Sequence, residues 1–200
     1  MNKVLGALAL TAAATIAAPA NAASIIPPGG ATTLTLNSDA IAALTPLSPT
    51  PLGSATAPLP DLVFPITGGL SLTSTDIIRH DGSGLGLSAG DDALNLEDFV
   101  INTGTGVLTG SVSGQIDGSA FDFGSGIALF DIIIGSTIEL AFTEEAAEAV
   151  AFVFDNDALE GVLDGFVAGD AQVAPIPVPA ALPLMGAALA GLGVTVRRRA

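Results

Sequence analysis

His80 is the one side chain in this sequence that titrates near neutral pH without perturbation. It lies directly before Asp81 and four residues after Asp76, so a base and an orienting carboxylate could be drawn together here. A hydrolase would also need a nucleophile, but the chain has no cysteine, and Ser83 and Ser125 lack the Gly-x-Ser-x-Gly spacing. The sequence therefore predicts a surface hydrogen bond in a turn for His80 and Asp81, and a protein that is not an enzyme.

Clusters of acidic residues offer the hard oxygen ligands that Ca²⁺ prefers. Asp155 and Asp157 stand at the first and third positions of a segment that resembles the start of an EF-hand loop. Leu159 follows at the fifth position and Phe166 at the twelfth, where that loop needs oxygen ligands. Helix capping and turn formation explain the same acids. Asp155 and Asp157 are thus secondary candidates for a calcium site, and neither a metal site nor a cofactor is predicted.

Charge is distributed very unequally along the chain. All 20 acidic residues lie between Asp39 and Asp170, and the only basic residue of that region is Arg79. Residues 23–175 therefore carry a net charge of −19, which argues against nucleic acid or anionic lipid as a partner. Such a charge favours solubility in a saline medium, with binding of divalent cations as the alternative.

Both ends of the sequence are typical of targeting segments. A lysine-containing start, an apolar stretch at 4–18 and small residues at 20–22 predict a signal peptide over residues 1–22, cleaved between Ala22 and Ala23. Residues 176–196 carry no charge and would span about 31 Å as a helix, roughly the hydrocarbon core of a bilayer. The cluster that follows should remain in the cytoplasm and consists of Arg197, Arg198 and Arg199.

The order of a proline-punctuated motif, an apolar run and a basic cluster resembles the VPLPA-type member of the PEP-CTERM group of C-terminal sorting signals of Gram-negative bacteria. In that family the motif reads Val-Pro-Leu-Pro-Ala, and this chain has Ile176 and Val178 at the first and third positions. The resemblance implies that signal peptidase and then an exosortase-type transpeptidase act on the chain. A permanent single-pass anchor is the alternative. The sorting motif carried over to this chain comprises Pro177, Val178, Pro179 and Ala180.

The resemblance to a sorting signal implies a non-enzymatic protein of the cell surface or the extracellular matrix. The precursor would be anchored in the inner membrane through residues 176–200, and the processed protein would reach the cell surface or the medium. Its expected partners, besides the two processing enzymes, are an envelope polysaccharide or a protein matrix.

Between the targeting segments, residues 23–175 predict one mainly β domain. Residues 31–37 alternate polar and apolar side chains, and clusters of Gly, Asn, Asp and Ser separate about eight such runs at hairpin spacing. The apolar run 132–134 predicts a central strand covered on both faces. Short helices are predicted at 40–44 and after Thr143, and the proline-rich stretch 46–60 predicts a surface loop. The expected fold is an antiparallel sandwich or partly closed barrel with two short helices.

This domain is also similar to exported bacterial β domains related to HtaA-type surface modules, some of which bind haem. The similarity follows the order of residues 78–87, 94–103, 106–110 and 129–132. It implies an alternative function as a Ca²⁺- or haem-binding envelope module. The chain offers haem no tyrosine and one histidine.

Overall fold

The structure is a computed structural model that describes residues 24–72, 75–135 and 137–175. The expected mainly β, antiparallel character is confirmed, in the form of one curled half-barrel sheet instead of two stacked sheets. The predicted signal peptide and its cleavage site, the sorting motif and the three terminal arginines all lie outside the described residues. Within the described ranges, no helix is long and apolar enough to cross a membrane.

Eleven strands, three α-helices and one 3₁₀ turn make up the described chain. The strands are β1 Ser24–Ile26, β2 Gly30–Leu36, β3 Thr50–Gly53, β4 Asp61–Pro65, β5 Gly68–Leu72, β6 Thr75–Ala89, β7 Asp92–Asn102, β8 Val107–Ile116, β9 Ser119–Ile134, β10 Ile138–Phe142 and β11 Val167–Pro175. The helices are α1 Ser38–Leu44, α2 Glu144–Val153 and α3 Asp157–Leu163, and the 3₁₀ turn is Thr45–Leu47.

The sheet curls because its two ends are joined by consecutive residues. The strand order is β1-β5-β6-β7-β8-β9-β10-β11-β2-β4, with β3 added on β6. Ile66 donates its N–H to the carbonyl of Gly30 in β2, whereas Thr67 donates its N–H to the carbonyl of Arg79 in β6. The chain therefore changes partner between these two residues. We call this junction of β4 and β5 the seam.

The four longest strands bend at a common level. Register shifts fall between His80 and Gly84 in β6, between Glu97 and Val100 in β7, and over the facing part of β8 and β9. Bulges of this kind bend a strand and increase its twist. We call this line of bulges the crease. Beyond it, the strands form an arm whose inner face is buried and includes Leu85, Leu87, Leu94, Leu96 and Val112.

Helices α1 and α2 begin at capped positions. The side chain of Asn37 accepts from the N–H of Ala40 at 2.7 Å, and that of Thr143 accepts from the N–H of Ala146 at 3.2 Å. Such caps satisfy an amide that the helix itself leaves unpaired. The expected start of α2 at Thr143 is confirmed. Helix α2 packs on α3, β9 and β7, and its buried residues are Ala146, Ala147, Val150, Ala151 and Val153.

Four expectations about the domain differ from the structure. Helix α3 differs from the expectation, because Asp155 and its neighbours predict the end of α2 and a turn-rich segment after it. The run 132–134 is covered on one face only, since Ile132 is buried but Ile133 is 46 % exposed. The stretch 46–60 is only partly a surface loop, because it supplies strand β3 and buries Leu47 and Ala55 in the core. About eight strands were expected, and the described residues form eleven, since short strands such as β1 and β3 carry little pattern of their own.

Candidate functional site

His80 lies at the seam and is only 1 % exposed. Its Nδ1 lies 3.0 Å from the carbonyl oxygen of Pro65 in β4, and its Nε2 lies 3.1 Å from Oγ1 of Thr32 in β2. The expected surface position in a turn is wrong. His80 belongs to β6, where alternate residues face the same side, and it therefore faces the core with Ile78. Its ring connects β6 to the two strands at the opposite end of the sheet.

These two contacts fix the chemistry of the imidazole. A carbonyl oxygen can only accept, so Nδ1 carries the proton and donates to Pro65. The lone pair of Nε2 then accepts the hydroxyl proton of Thr32. Burial lowers the pKa of His80 below 6.5, against smaller opposing effects of the Pro65 and Phe64 backbone and of the Asp81 charge. His80 is therefore a neutral structural link whose base nitrogen is already occupied.

Neither carboxylate near His80 in sequence orients its ring. Asp81 is exposed, and its Oδ2 accepts from Oγ1 of Thr67 at 3.2 Å. The backbone of Asp76 contacts the Thr103 hydroxyl at the start of β6. The structure thus brings together Thr32, His80 and Pro65, which sequence reasoning did not connect.

The space next to His80 is a small apolar cavity of about 20 Å³. Phe64 and Phe99 border it with ring centroids 5.2 Å apart, and Thr32 also lines it. Such a volume holds about one water molecule. A haem would enter only if the half-barrel opened.

Asp155 and Asp157, the secondary calcium candidates, lie in the connection between α2 and α3. Both are exposed; Asp155 has a φ of 47°, and Asp157 opens α3. An acid in a first helical turn is favoured by the helix dipole. Among the described residues, no group of three or more acids or histidines converges in a way that could hold a metal ion. Asp157 therefore lies where the dipole of α3 favours an acid, and Asp155 lies in the turn before that helix.

The crease forms an open polar groove of about 480 Å³ on the outer face of the sheet. Arg79, the only basic residue between 23 and 175, lies on it together with Asp81 and Asp98. Asp98 has a φ of 55°, and its Oδ1 accepts the N–H of Gly82 at 2.7 Å. That carboxylate therefore holds the bulges of β6 and β7 together. The groove is explained by the bend of the sheet.

A second surface groove, of about 310 Å³, lies between α2 and β9. It had no counterpart in the sequence-based expectations. Its two phenylalanines are Phe123 of β9 and Phe152 of α2, with ring centroids 6.0 Å apart. Alternation along β9 and the solvent face of α2 are the signals that could have indicated it. We call it the phenylalanine groove, and it is lined by Phe123, Ile127, Glu145, Glu148, Ala149 and Phe152.

Comparison of the chain with models of known protein families, with curated proteins and with solved structures gave no match, so its function is inferred from its own residues and geometry.

Proposed function

We propose that the protein is a non-enzymatic exported protein, displayed at the cell surface or in the extracellular matrix after processing at a VPLPA-type C-terminal sorting signal. The observation that carries this proposal is that the first described strand begins, and the last one ends, at the same rim of the sheet. Ser24 of β1 is level with Ser71, next to the β5–β6 turn. Pro175 of β11 is level with Gly30 and lies beyond the β9–β10 connection. We call this end the terminal rim.

A common exit for both termini suits a domain that is first exported and then held by its C-terminus. A membrane segment at 176–200 would follow Pro175 directly at the terminal rim. The hairpins β6–β7 and β8–β9 turn at the opposite end of the sheet, at Ala89–Asp92 and Ile116–Ser119. They would then project away from the membrane, where they are accessible to a polysaccharide or protein matrix.

The chemistry of the described domain supports a role in contacts over one in catalysis. The nitrogen of His80 that could act as a base is occupied by Thr32 and buried at the seam. The surface carries most of the acidic residues and a single arginine, Arg79. A protein of this kind acts through surface charge and shape.

The sorting step depends on residues whose backbone is restricted. Pro177 and Pro179 fix φ near −65° and disfavour helix in the residues before them, which suits an extended peptide in the cleft of a transpeptidase. The apolar run from Leu184 to Val196 would span about 20 Å as a helix, which is short for a stable membrane crossing. Such a run suits an anchor that is held until the chain is cut.

A double substitution, Pro177→Ala with Pro179→Ala, tests the proposal in the native host. We expect normal export and removal of residues 1–22, but a membrane-bound precursor that accumulates uncut. Pro58→Ala, an exposed proline before β4, is the matched control and should mature normally. Mass spectrometry of the released protein and amino-terminal sequencing are the measurements. Release of the double variant at the normal mass would refute the sorting signal, and a mature chain that still starts at Met1 would refute export.

A further inference from the structure

We propose that the phenylalanine groove is a docking site for a cationic amphipathic helix of another protein. This inference goes beyond the proposed function, because it assigns a specific surface of the displayed domain to a specific kind of partner.

The first argument is the exposure of two aromatic side chains. Phe123 is 47 % exposed and Phe152 is 62 % exposed, although the core of the domain is well buried. Phe121 extends the cluster, with its ring centroid 4.7 Å from that of Phe123. Neighbouring exposed aromatic rings are typical of interaction surfaces, and buried aromatic residues commonly dominate the binding energy.

The second argument is the shape of the groove. Along α2, Glu145, Glu148 and Phe152 are exposed and follow one another at helical spacing, with the half-buried Ala149 between them. β9 forms the opposite wall with Phe123 and Ile127. A groove between a helical ridge and a strand fits one face of a further helix, which inserts apolar side chains at spacings of three and four residues.

The third argument is charge. Glu145 and Glu148 line an otherwise apolar groove, and Arg79, the one basic residue of the domain, lies at the crease. Basic groups beside the apolar face of a helix would meet these carboxylates, which favours association and its specificity. A second copy of this chain would place glutamates against glutamates, and an anionic bilayer would be repelled by the net charge of −19.

The C-terminal tail of the same molecule is apolar and ends in arginines, but even with a fully extended linker only the later part of its apolar run could reach this groove. The end of the groove nearer to the tail is Ile127, seven residues before Ile134 in β9. Ile134 pairs with Ile138, which pairs with Ala171, so these three residues are level in the sheet. Pro175, the last described residue, lies four residues beyond Ala171. Ile127 and Pro175 are therefore separated by 11 residue steps, or about 36 Å, along the strand direction. Residues 176–183 span at most about 28 Å when fully extended. The apolar run that begins at Leu184 therefore starts short of the groove.

The test measures binding of a fluorescent synthetic helix to the full-length chain. The probe is a peptide of about 18 residues with leucine on one face and lysine on the other, followed by fluorescence anisotropy. We expect Phe123→Ser and Phe152→Ser each to weaken binding on the order of tenfold. The control Val162→Ser changes an exposed apolar residue of α3 outside the groove and should leave the affinity unchanged.

A charge control separates docking from general attraction to an acidic protein. Glu145→Gln with Glu148→Gln should weaken binding and reduce its dependence on salt. Asp91→Asn with Asp117→Asn removes the same charge at exposed hairpin turns and should have a clearly smaller effect. Because Phe152 is largely exposed, its serine variant should unfold at the wild-type temperature, which shows that a loss of affinity is not a loss of fold.

Several results would overturn the proposal. Equal affinities of the wild type and both phenylalanine variants would show that the groove does not bind the helix. A dimer in sedimentation that Phe152→Ser abolishes would assign the groove to a second copy. Competition with a peptide of residues 184–200 tests the chain's own tail. If this peptide displaced the labelled probe at a lower concentration than the unlabelled probe does, the groove would be assigned to the tail. Phe152-dependent binding to phosphatidylglycerol vesicles, but not to the helix, would assign it to lipid.

Discussion

His80 should be the most costly single polar residue to remove from this domain. In His80→Ala, the hydroxyl of Thr32 loses its acceptor and the carbonyl of Pro65 loses its donor, both at the buried seam. An unsatisfied buried polar group costs about 1–3 kcal/mol, and a large-to-small change in a core costs about 2–5 kcal/mol. Because the two costs overlap, we expect the free energy of unfolding to fall by about 3–5 kcal/mol, from a usual total of about 5–15 kcal/mol.

Urea unfolding, followed by circular dichroism, measures this loss. Thr32→Val removes only the partner of Nε2 and should cost about 1–2 kcal/mol. Arg79→Gln changes the adjacent, exposed residue of β6 and should stay within about 0.5 kcal/mol of the wild type. If His80→Ala lost less than about 1 kcal/mol, the link across the seam would not stabilise the fold as argued.

The same residue should make stability depend on pH. Burial lowers the pKa of folded His80 below its ordinary value of 6.5, so the unfolded chain binds this proton more readily. The contribution of neutral His80 to the free energy of unfolding should be fully present above pH 6.5. It should be lost as the pH falls from there through the pKa of the folded state. The negative charge of Asp81 raises the pKa of His80, but by less than burial lowers it. His80→Ala should lack this loss, and an identical decline in both proteins between neutral and mildly acidic pH would refute the assignment.

Two further predictions concern packing and charge. Gly110→Ala should cost about 1–3 kcal/mol in thermal unfolding, because the added Cβ would lie 2.7 Å from Cδ1 of Leu129 and 2.8 Å from the carbonyl oxygen of Glu97. Gly161→Ala in α3, where a Cβ meets no atom within 4 Å, should instead stabilise the helix, and equal effects of the two changes would contradict the packing argument. Added NaCl should raise the melting temperature, since salt screens the repulsion within a domain of charge −19. An unchanged melting temperature would show that the acids lie too far apart to matter.

The features that the sequence predicted well depend on short stretches of chain. Hairpin turns and strand content follow from local alternation and turn residues, and the start of α2 follows from Thr143 and the two acids after it. Even α3 had a local signal in the spacing of Leu159 and Leu163, which a turn interpretation of Asp155 concealed. Net charge and the absence of cysteine are properties of composition, so they need no structure.

Both candidate sites, in contrast, join residues that are distant in the chain. His80 meets Thr32 because the partner change between Ile66 and Thr67 brings the two ends of the sheet together. Phe123 meets Phe152 because α2 packs back on β9, although each residue alone is an ordinary apolar position. By itself, the sequence determined the mainly β character of the domain, the start of α2 and the charge, since these depend on neighbouring residues or on composition. Only the tertiary structure decided that the sheet curls, that His80 is buried and that two phenylalanines line one groove, since closure and packing depend on contacts between distant segments.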